Sequence, residues 1–558
     1  MDAQDVSALP ELRNALKLIG ANDPAHARVS RAIVSLEAIE SSRRERVLSK
    51  FWNTPWFPPL FLFASAYLFW ILVIRFLILI QWPLSIWKWN SALKPVAEVK
   101  LPTWSAGVPI PLKYILGIGF FEYHDRVLDA WIRSRQAVAQ ENFLKLPTVK
   151  SRAVHVEVPV VLNGTTLIDI KAEHLKPLFG STKRSCLLIV GEGGAGKTSF
   201  ACLLGRRALG YGPLLIADHP MLPILLEEEL DDPDHAAGSR RLFEAIRGRL
   251  TTLIGDLDPV DSEFTRRLLK RKRLLVIVDH LSELSQETRT QFRPASPDFP
   301  IGAFVVTSRV ENVIDGIPKS VIKPQRIAGN RLTSFMEAYL TQVGKRELFD
   351  DQEYIEACLN LTRIVEGRDV TLLLGKMFAD QLIVKKEEND LNDLPLNIPD
   401  LMLKYVHYLH HRDDDHDAIR QALADSKIVA WMCVREHFYP TRADRTSVLY
   451  ELGAVDCLER LEHLENGLHL LATDGLELNR VRFLLDPLAE YLAALHVIEL
   501  YSSDELRWNA LLQRLSPLAE ASSVPQGFML ALRDCCRYKV GEYAIPDFVQ
   551  VQLTAMLH

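Results

Sequence analysis

The chain has few cysteines and little net charge, which argues against a disulfide scaffold, a zinc site and a nucleic-acid partner. Its 558 residues contain seven cysteines, scattered and without the paired spacing of a zinc site. An odd, scattered set fits a reducing compartment better than a disulfide scaffold. A formal net charge of -6 gives no electrostatic reason to expect nucleic acid as a partner. There is also no fixed-period repeat, so a long solenoid sensor is not expected.

One long apolar run is present near the N-terminus. Residues 59–80, PLFLFASAYLFWILVIRFLILI, carry a single charge, Arg75, and have the length of a helix that crosses a bilayer. About fifty polar residues come first, which argues against a cleaved signal peptide. The run is flanked by tryptophans, which favour membrane interfaces: Trp52, Trp56, Trp82, Trp87 and Trp89. We therefore expect a transmembrane segment in contact with membrane lipid.

The topology around this run stays open, because basic residues lie on both sides of it. A single span would place the two ends of the chain on opposite sides. A hairpin bent near Arg75 would keep both ends on one side. A second, shallow insertion of YILGIGFF, Tyr114 to Phe121, would do the same.

The middle of the chain has the pattern of an α/β domain. Four short apolar runs, CLLIV, PLLIAD, LLVIVD and AFVVTS, alternate with helical patterns after residue 185. Buried parallel strands joined by helices produce this pattern. Ahead of them, residues 150–164 alternate in polarity and end in an Asn-Gly turn, which predicts a lead-in strand with His155 on its solvated face. Beyond about Ala328, helical periodicities dominate.

The segment GEGGAGKT follows the first of these runs and matches G-x-x-x-x-G-K-[ST]. Its glycines allow the backbone N–H groups to wrap a polyphosphate, and the helix that follows adds its positive end. Lys197 is expected to reach the β- and γ-phosphates, and Thr198 to bind Mg²⁺ through its hydroxyl. The predicted nucleotide-binding residues are Gly191, Glu192, Gly193, Gly194, Ala195, Gly196, Lys197, Thr198 and Ser199.

Two further strand ends supply the remaining chemistry. Asp279 closes the run LLVIVD and is expected to hold Mg²⁺ through water, with Glu283 orienting or deprotonating the attacking water. Arg309 follows AFVVTS, from where a guanidinium can meet the γ-phosphate. Lys197, Asp279, Glu283 and Arg309 are therefore the predicted catalytic residues, and Thr198 and Asp279 the metal ligands.

The order of these motifs resembles the NACHT family of STAND NTPases, which are signalling ATPases related to innate-immunity receptors. GEGGAGKTS, LLVIVDHLSE and FVVTSR resemble the family's P-loop, Walker B and sensor 1 motifs. LPLNIPDLMLKYV resembles its segment after the first helical domain. FLLDPLAEYLAA, Phe483 to Ala494, resembles its winged-helix motif. The resemblance covers about residues 180–500.

The chain departs from the family pattern at three places. His280 and Ser282 replace a glycine and an acid in the Walker B cluster, so hydrolysis is expected to be slow. GRDVTLLL, residues 367–374, lacks the family's proline beside the base, so adenine specificity rests on analogy. The winged-helix histidine that touches bound ADP would fall near Leu485 and is absent; the adjacent Asp486 is assigned to the ADP-holding interface.

The resemblance implies a closed ADP-bound form that exchanges to ATP and assembles into a homo-oligomer on an unknown trigger. With the apolar run, it implies a protein of the cytoplasmic or inner membrane whose NTPase domain faces the cytosol, acting in antiviral defence. The expected domains are an N-terminal helical segment (1–50), a transmembrane region (51–90), a linker with a strand (91–180), an α/β P-loop NTPase domain (181–328), a helical domain (329–400), a winged-helix-like domain (401–500) and C-terminal helices (501–558).

Two alternatives come from other classes. A non-hydrolysing membrane scaffold would bind nucleotide only to hold its shape, and the altered Walker B cluster keeps this alternative open. A transporter ATPase would combine a span with a P-loop. An ABC-type ATPase needs an LSGGQ-like signature before Walker B, and FTRRLLKRKR, which precedes it here, contains none.

Overall fold

The structure is a computed structural model in which two compact units are distinguished, residues 1–127 and 128–558. It describes residues 9–18, 24–52, 57–93, 99–100, 109–180, 184–210, 216–230, 238–257, 259–366, 368–409, 416–453, 455–474, 479–521, 526–539 and 541–557.

The first unit is helical. Its helices are α1 (Leu9–Leu18), α2 (Pro24–Trp52), α3 (Phe57–Val73), α4 (Pro83–Leu93) and α5 (Leu112–Ile115), with a 3₁₀ turn at Ile118–Phe121 and a short antiparallel pair, β1 (Val99–Lys100) and β2 (Pro109–Ile110). The apolar helix α3 continues through a π-helical turn, Ile74–Ile78, and a last turn, Leu79–Gln81. The chain therefore does not bend at Arg75; the helix ends before Trp82, whose backbone is non-helical.

By length and composition, Phe61–Gln81 is the one helix among the described residues that is able to cross a membrane. Most of its side chains are exposed, and the membrane span remains a prediction. Trp82 and Trp89 of the predicted tryptophan belt are exposed. Trp56 and the side chain of Trp52 lie outside the described residues.

A seven-stranded sheet forms the centre of the second unit, in the order β4-β3-β9-β5-β8-β7-β6. Its strands are β3 (Val160–Leu162), β4 (Thr165–Leu167), β5 (Ser185–Val190), β6 (Leu222–Leu226), β7 (Leu274–Val278), β8 (Ala303–Ser308) and β9 (Lys319–Pro324). β9 through β6 pair in parallel, while β3 and β4 form an antiparallel edge. The predicted, mostly parallel sheet is therefore present, and every residue of strands β5 to β8 is buried, including those of the edge strand β6.

Two predicted strands differ from the structure. Of PLLIAD, residues 213–215 lie outside the described residues, and Ile216 to Asp218 form a bend; the strand is the next apolar run, LPILL. LPILL forms the strand because it pairs with β7 along its whole length. The lead-in strand is shorter than predicted: only Val160–Leu162 pairs, and Asn163 and Gly164 turn the chain into β4 with positive φ.

Helices α8, α9, α10 and α11 pack on the strands of this sheet. The helices up to the last sheet strand are α6 (Asp125–Lys145), α7 (Pro147–Lys150), α8 (Ala172–Gly180), α9 (Lys197–Ala208), α10 (Gly238–Ile254), α11 (Ser262–Lys270) and α12 (Gln286–Gln291). Beyond the sheet the chain is mainly helical, as predicted: α13 (Leu332–Val343), α14 (Asp351–Ile364), α15 (Leu372–Glu387), α16 (Ile398–Leu409), α17 (His416–Val434), α18 (Arg445–Leu452), α19 (Cys457–Glu462), α20 (Asp486–Tyr501), α21 (Glu505–Ala521), α22 (Gln526–Tyr538) and α23 (Asp547–Met556).

A small antiparallel sheet lies among the later helices, in the order β10-β12-β11, with strands β10 (Ala443–Asp444), β11 (Leu471–Asp474) and β12 (Arg480–Phe483). Its central strand leads directly to α20, which is buried along most of its length between α17 and α22. A small sheet on helices is what a winged-helix domain contains. The assignment of that domain and the domain boundaries remain predictions.

Candidate nucleotide-binding site

Three neighbouring strands end at one edge of the large sheet and place the predicted residues together. The phosphate loop follows β5, Asp279 follows β7 and Arg309 follows β8, the strand between them. Parallel strands have their carboxyl ends at the same edge, which is where open α/β sheets bind ligands. Residues up to 118 positions apart in sequence therefore converge, as the motif order predicts.

The phosphate loop has the backbone that a polyphosphate requires. Gly194 and Gly196 adopt left-handed conformations, with φ of 74° and 91°, which a side chain would strain. α9 begins at Lys197, so its first N–H groups point into the loop. The Lys197 Nζ donates to the Glu192 carbonyl at 2.8 Å. Burial, together with the nearby Arg309 charge, lowers the pKa of Lys197.

The predicted metal ligands are in contact. Thr198 Oγ1 donates to Asp279 Oδ1 at 3.0 Å, and the Thr307 hydroxyl donates to the same oxygen. Asp279 is fully buried, and its Oδ2 lies 3.1 Å from His280 Nε2. Among the described residues no cluster of three or more His, Cys, Asp or Glu side chains could hold a metal. A hydroxyl and one carboxylate fit Mg²⁺, which keeps several waters and shares phosphate oxygens.

His280 lies between the two predicted acids. Its Nε2 is 3.1 Å from Asp279 Oδ2 and its Nδ1 is 3.4 Å from Glu283 Oε1. Burial lowers the pKa of His280, but these two carboxylates outweigh it and raise the pKa to about 9. The same contacts hold the pKa of Asp279 below its ordinary value despite burial. An imidazolium here places one positive charge in contact with both acids.

Arg309 joins the Walker B region to α20. Its Nε donates to Glu283 Oε1 at 2.7 Å, and its NH2 lies 2.8 Å from Asp486 Oδ2. The guanidinium also lies over the Tyr439 ring. Burial raises the pKa of Glu283, but the charge of Arg309 outweighs it and keeps the carboxyl ionised. The predicted sensor arginine therefore pairs with a residue 177 positions later in the chain.

The start of α20 packs directly on the phosphate loop. A Cβ added to Gly193 would lie 2.5 Å from Asp486 Cβ, and one added to Gly194 would lie 2.8 Å from Pro487 Cγ. The Leu373 N–H, at the start of α15, donates to the Gly194 carbonyl at 3.2 Å. Two glycines thus let two different helices approach the loop closely. Asp486 holds a position at this interface, as the sequence assigned it.

Glu490, one turn after Asp486, is a site residue that sequence reasoning missed. It is buried beside a cleft that Glu192, Arg309 and Arg326 also line. Burial raises its pKa to about 8, against the charge of Arg309 and with that of Asp486. Glu490 lies within the segment FLLDPLAEYLAA, four residues after Asp486, and that segment was the available signal.

His155 was predicted to be solvated, and the structure corrects this. Its ring is half-buried near Phe200, and its Nδ1 is shielded from solvent with no hydrogen-bond partner among the described residues. Burial lowers its pKa to about 4, so the ring is neutral. The surrounding cavity, which adjoins the phosphate-loop helix, is mostly apolar and includes Gly196, Phe200, Leu203, Pro324 and Leu372. Period-two alternation failed here because residues before β3 pack against helices instead of pairing as a strand.

Two comparisons with known proteins returned matches. Residues 525–555 match the family model of the NACHT C-terminal helical domain 4. Among solved structures, a STAND protein with a tetratricopeptide repeat sensor from Pyrococcus horikoshii matches 69% of this chain at 12% identity. The TM-score of 0.29 is too low to support an argument, and the match spans about half, 52%, of that protein. No curated protein sequence matches the chain.

The sheet and the phosphate loop define the chain as a P-loop NTPase. The C-terminal match, in a chain that carries the other motifs in order, confirms the predicted relationship to the NACHT group of STAND NTPases. The predicted roles of individual site residues and the membrane anchor remain predictions.

Proposed function

We propose that this chain is a membrane-anchored signal-transduction switch that binds ATP or ADP with Mg²⁺ and hydrolyses ATP slowly. The observation that carries the proposal is the position of Arg309, which is shared between Glu283 and Asp486. One cation thus connects the hydrolytic acid to a helix of a different part of the chain. A device of this kind couples occupancy of the phosphate site to the position of that helix.

The contacts of Arg309 and Asp486 explain how a phosphate at the site would move α20. Arg309 is fully buried between two carboxylates, so it can neutralise a γ-phosphate only by loosening its contact with Asp486. Asp486 itself lies against Gly193 in the phosphate loop, where its negative charge would repel an added phosphate. Binding of a third phosphate therefore favours release of α20, whereas a diphosphate is compatible with the closed form.

The base of the nucleotide is proposed to bind in the cavity beside α9. Its lining combines apolar residues and the neutral ring of His155 with Glu157, Asp169 and Arg207, and its volume of about 20 Å³ must widen before a purine can enter and stack there. Nothing in this lining separates adenine from guanine, so ATP is proposed on the strength of the family relationship.

A second candidate function, a nucleotide-binding scaffold that does not hydrolyse, is favoured by His280. Its ring contacts both Walker B acids, and a protonated ring in this position leaves neither of them free to act as a base. Slow hydrolysis requires that His280 leave this position. The two candidates therefore differ in turnover and not in binding.

The proposed output of the switch is clustering of the apolar helices in the membrane. Assembly of the opened form into a homo-oligomer would bring several Phe61–Gln81 helices together, which can perturb a bilayer. We propose that such a response acts in antiviral defence, after an unknown trigger. Full-length protein that clusters in liposomes and leaves them sealed would refute this output.

The switch is tested on the full-length chain in detergent, by measuring particle size and ATP turnover with ADP and with ATP. Expected is a larger particle with ATP than with ADP, and no such change in Lys197→Ala, which loses the phosphate contact. Glu283→Gln separates the candidates: loss of turnover with retained assembly supports the hydrolysing switch. Absence of turnover in both proteins supports the scaffold, and steady turnover by a particle of constant size refutes the switch.

A further inference from the structure

A short segment of the first unit packs against the middle of the apolar helix. Tyr67 Oη donates to the Tyr114 carbonyl at 2.7 Å, and Trp70 Nε1 donates to the Leu116 carbonyl at 2.8 Å. Gly117 has φ of 76°, and a Cβ there would lie 3.3 Å from Ile71 and 3.4 Å from Ile74. The segment therefore lies at the level of residues 67–74, well inside the helix Phe61–Gln81.

Side chains satisfy the backbone of this segment at three successive alternate residues. Besides the two bonds from α3, Asn90 Nδ2 donates to the Ile118 carbonyl at 3.2 Å, and Asn90 is 1% exposed. In water such carbonyls would bond to solvent, and dedicated donors would gain little. In hydrocarbon an unpaired carbonyl costs several kcal/mol, so these short helical turns, in which the Tyr114 carbonyl also accepts from the Gly117 N–H at 3.1 Å, gain from the added side-chain partners.

The outer face of the same segment is apolar and uncovered. Phe120 is 61% exposed, and Tyr114, Ile115 and Leu116 are each about 40% exposed. This face continues onto the exposed side chains of α3, where Leu62 and Phe63 are more than 70% exposed. At the ends of the segment, Lys113 and Glu122 form an ion pair at 2.7 Å, so these two charges neutralise each other.

We propose that Tyr114–Phe120 is a re-entrant membrane element, inserted in the leaflet next to Trp82 and docked on the span. Its occupant is the acyl-chain region of a phospholipid bilayer. The inference rests on the membrane anchor proposed above and adds a second inserted element to it. A second copy of the chain would also cover an apolar face. It would cover one side only, however, whereas the apolar exposure here runs around α3 and onto the segment.

The test places a nitroxide label at single positions of the full-length protein in phosphatidylcholine liposomes. The labelled variants are Phe120→Cys, Leu62→Cys in the span and Val34→Cys, which is 63% exposed on the polar helix α2. All three carry Cys457→Ser, because the other six native cysteines are buried. Collision with dissolved oxygen, compared with a water-soluble nickel chelate, reports depth.

The label at position 120 is expected to meet oxygen far more than nickel, as the label at 62 does, while the label at 34 meets nickel. Tyr67→Phe combined with Trp70→Phe removes two carbonyl partners and is expected to move the label at 120 toward nickel, with the label at 62 unchanged. If 120 behaves like 34 while 62 remains in lipid, the re-entrant element is refuted and the anchor stands. If 62 also meets nickel, the anchor itself is refuted. A label at 120 shielded from both reagents would mean a protein contact and overturn the proposal.

Discussion

Replacement of Asp486 by alanine tests the closed form most directly. The Arg309–Asp486 contact of 2.8 Å is buried, with side-chain exposures of 4% and 16%. Breaking one partner of a buried ion pair costs about 3–5 kcal/mol when the remaining charge is left alone. Arg309 keeps Glu283 at 2.7 Å, so we expect a smaller loss of about 2 kcal/mol.

A loss of about 2 kcal/mol in the closed form corresponds to a roughly 30-fold larger open fraction. Release of a fluorescent ADP analogue, measured by stopped flow, should accelerate by up to that factor, because α20 would leave the phosphate loop more often. Asp486 is also a first-turn acid, so part of the effect is loss of a helix-dipole contact.

Glu505→Ala controls for that part, since Glu505 is an exposed first-turn acid of the next helix, α21. Asp486→Asn keeps the size of the side chain and removes its charge, and it should accelerate release as alanine does. Release rates of Asp486→Ala that stay within about twofold of Glu505→Ala would refute the proposed latch.

Three further predictions concern single side chains. His280→Gly should raise ATP turnover about tenfold, which corresponds to ~1.4 kcal/mol of activation free energy, because both Walker B acids lose their contact with the imidazole. Unchanged turnover would show that His280 does not inhibit hydrolysis. Glu490, with its pKa raised to about 8, contributes stability that is full below pH 4.5 and is lost as the pH rises through 8. The unfolding midpoint should therefore fall across this window, and Glu490→Gln should flatten the curve; parallel curves would contradict this. His155→Ala should weaken nucleotide binding by about 1 kcal/mol in calorimetry, whereas an equal change at the exposed His407 should not.

The site could be predicted from sequence where its geometry is local. The run from Ser185 to Thr198 encodes a strand, a turn with two left-handed glycines and a helix start, all within one short segment. Asp279 and Arg309 were found for the same reason, because each directly follows a continuous apolar run that forms a buried strand. In these cases residue type and strand pattern suffice.

Contacts between distant segments were beyond this reasoning. The pair Arg309–Asp486 depends on how α20 docks, and no periodicity carries that information. The same limit explains PLLIAD: two apolar runs of similar composition follow α9, and only pairing with β7 selects LPILL. His155 is a third case, since its cavity is formed by α9, β9 and α15 together with its own segment.

At His280 the chain departs from the family pattern in sequence, and the same residue contacts both acids of the site. It has φ of 55°, a left-handed conformation that costs residues other than glycine of order 1 kcal/mol, although histidine adopts it more often than most. The NACHT pattern has glycine at this position, where the conformation carries no such cost. The chain therefore bears strain at the one residue whose ring reaches both Asp279 and Glu283. Those ionic contacts offset the strain only while Asp279 and Glu283 take no part in hydrolysis. Histidine in place of glycine at position 280 therefore stabilises the closed, non-hydrolysing form.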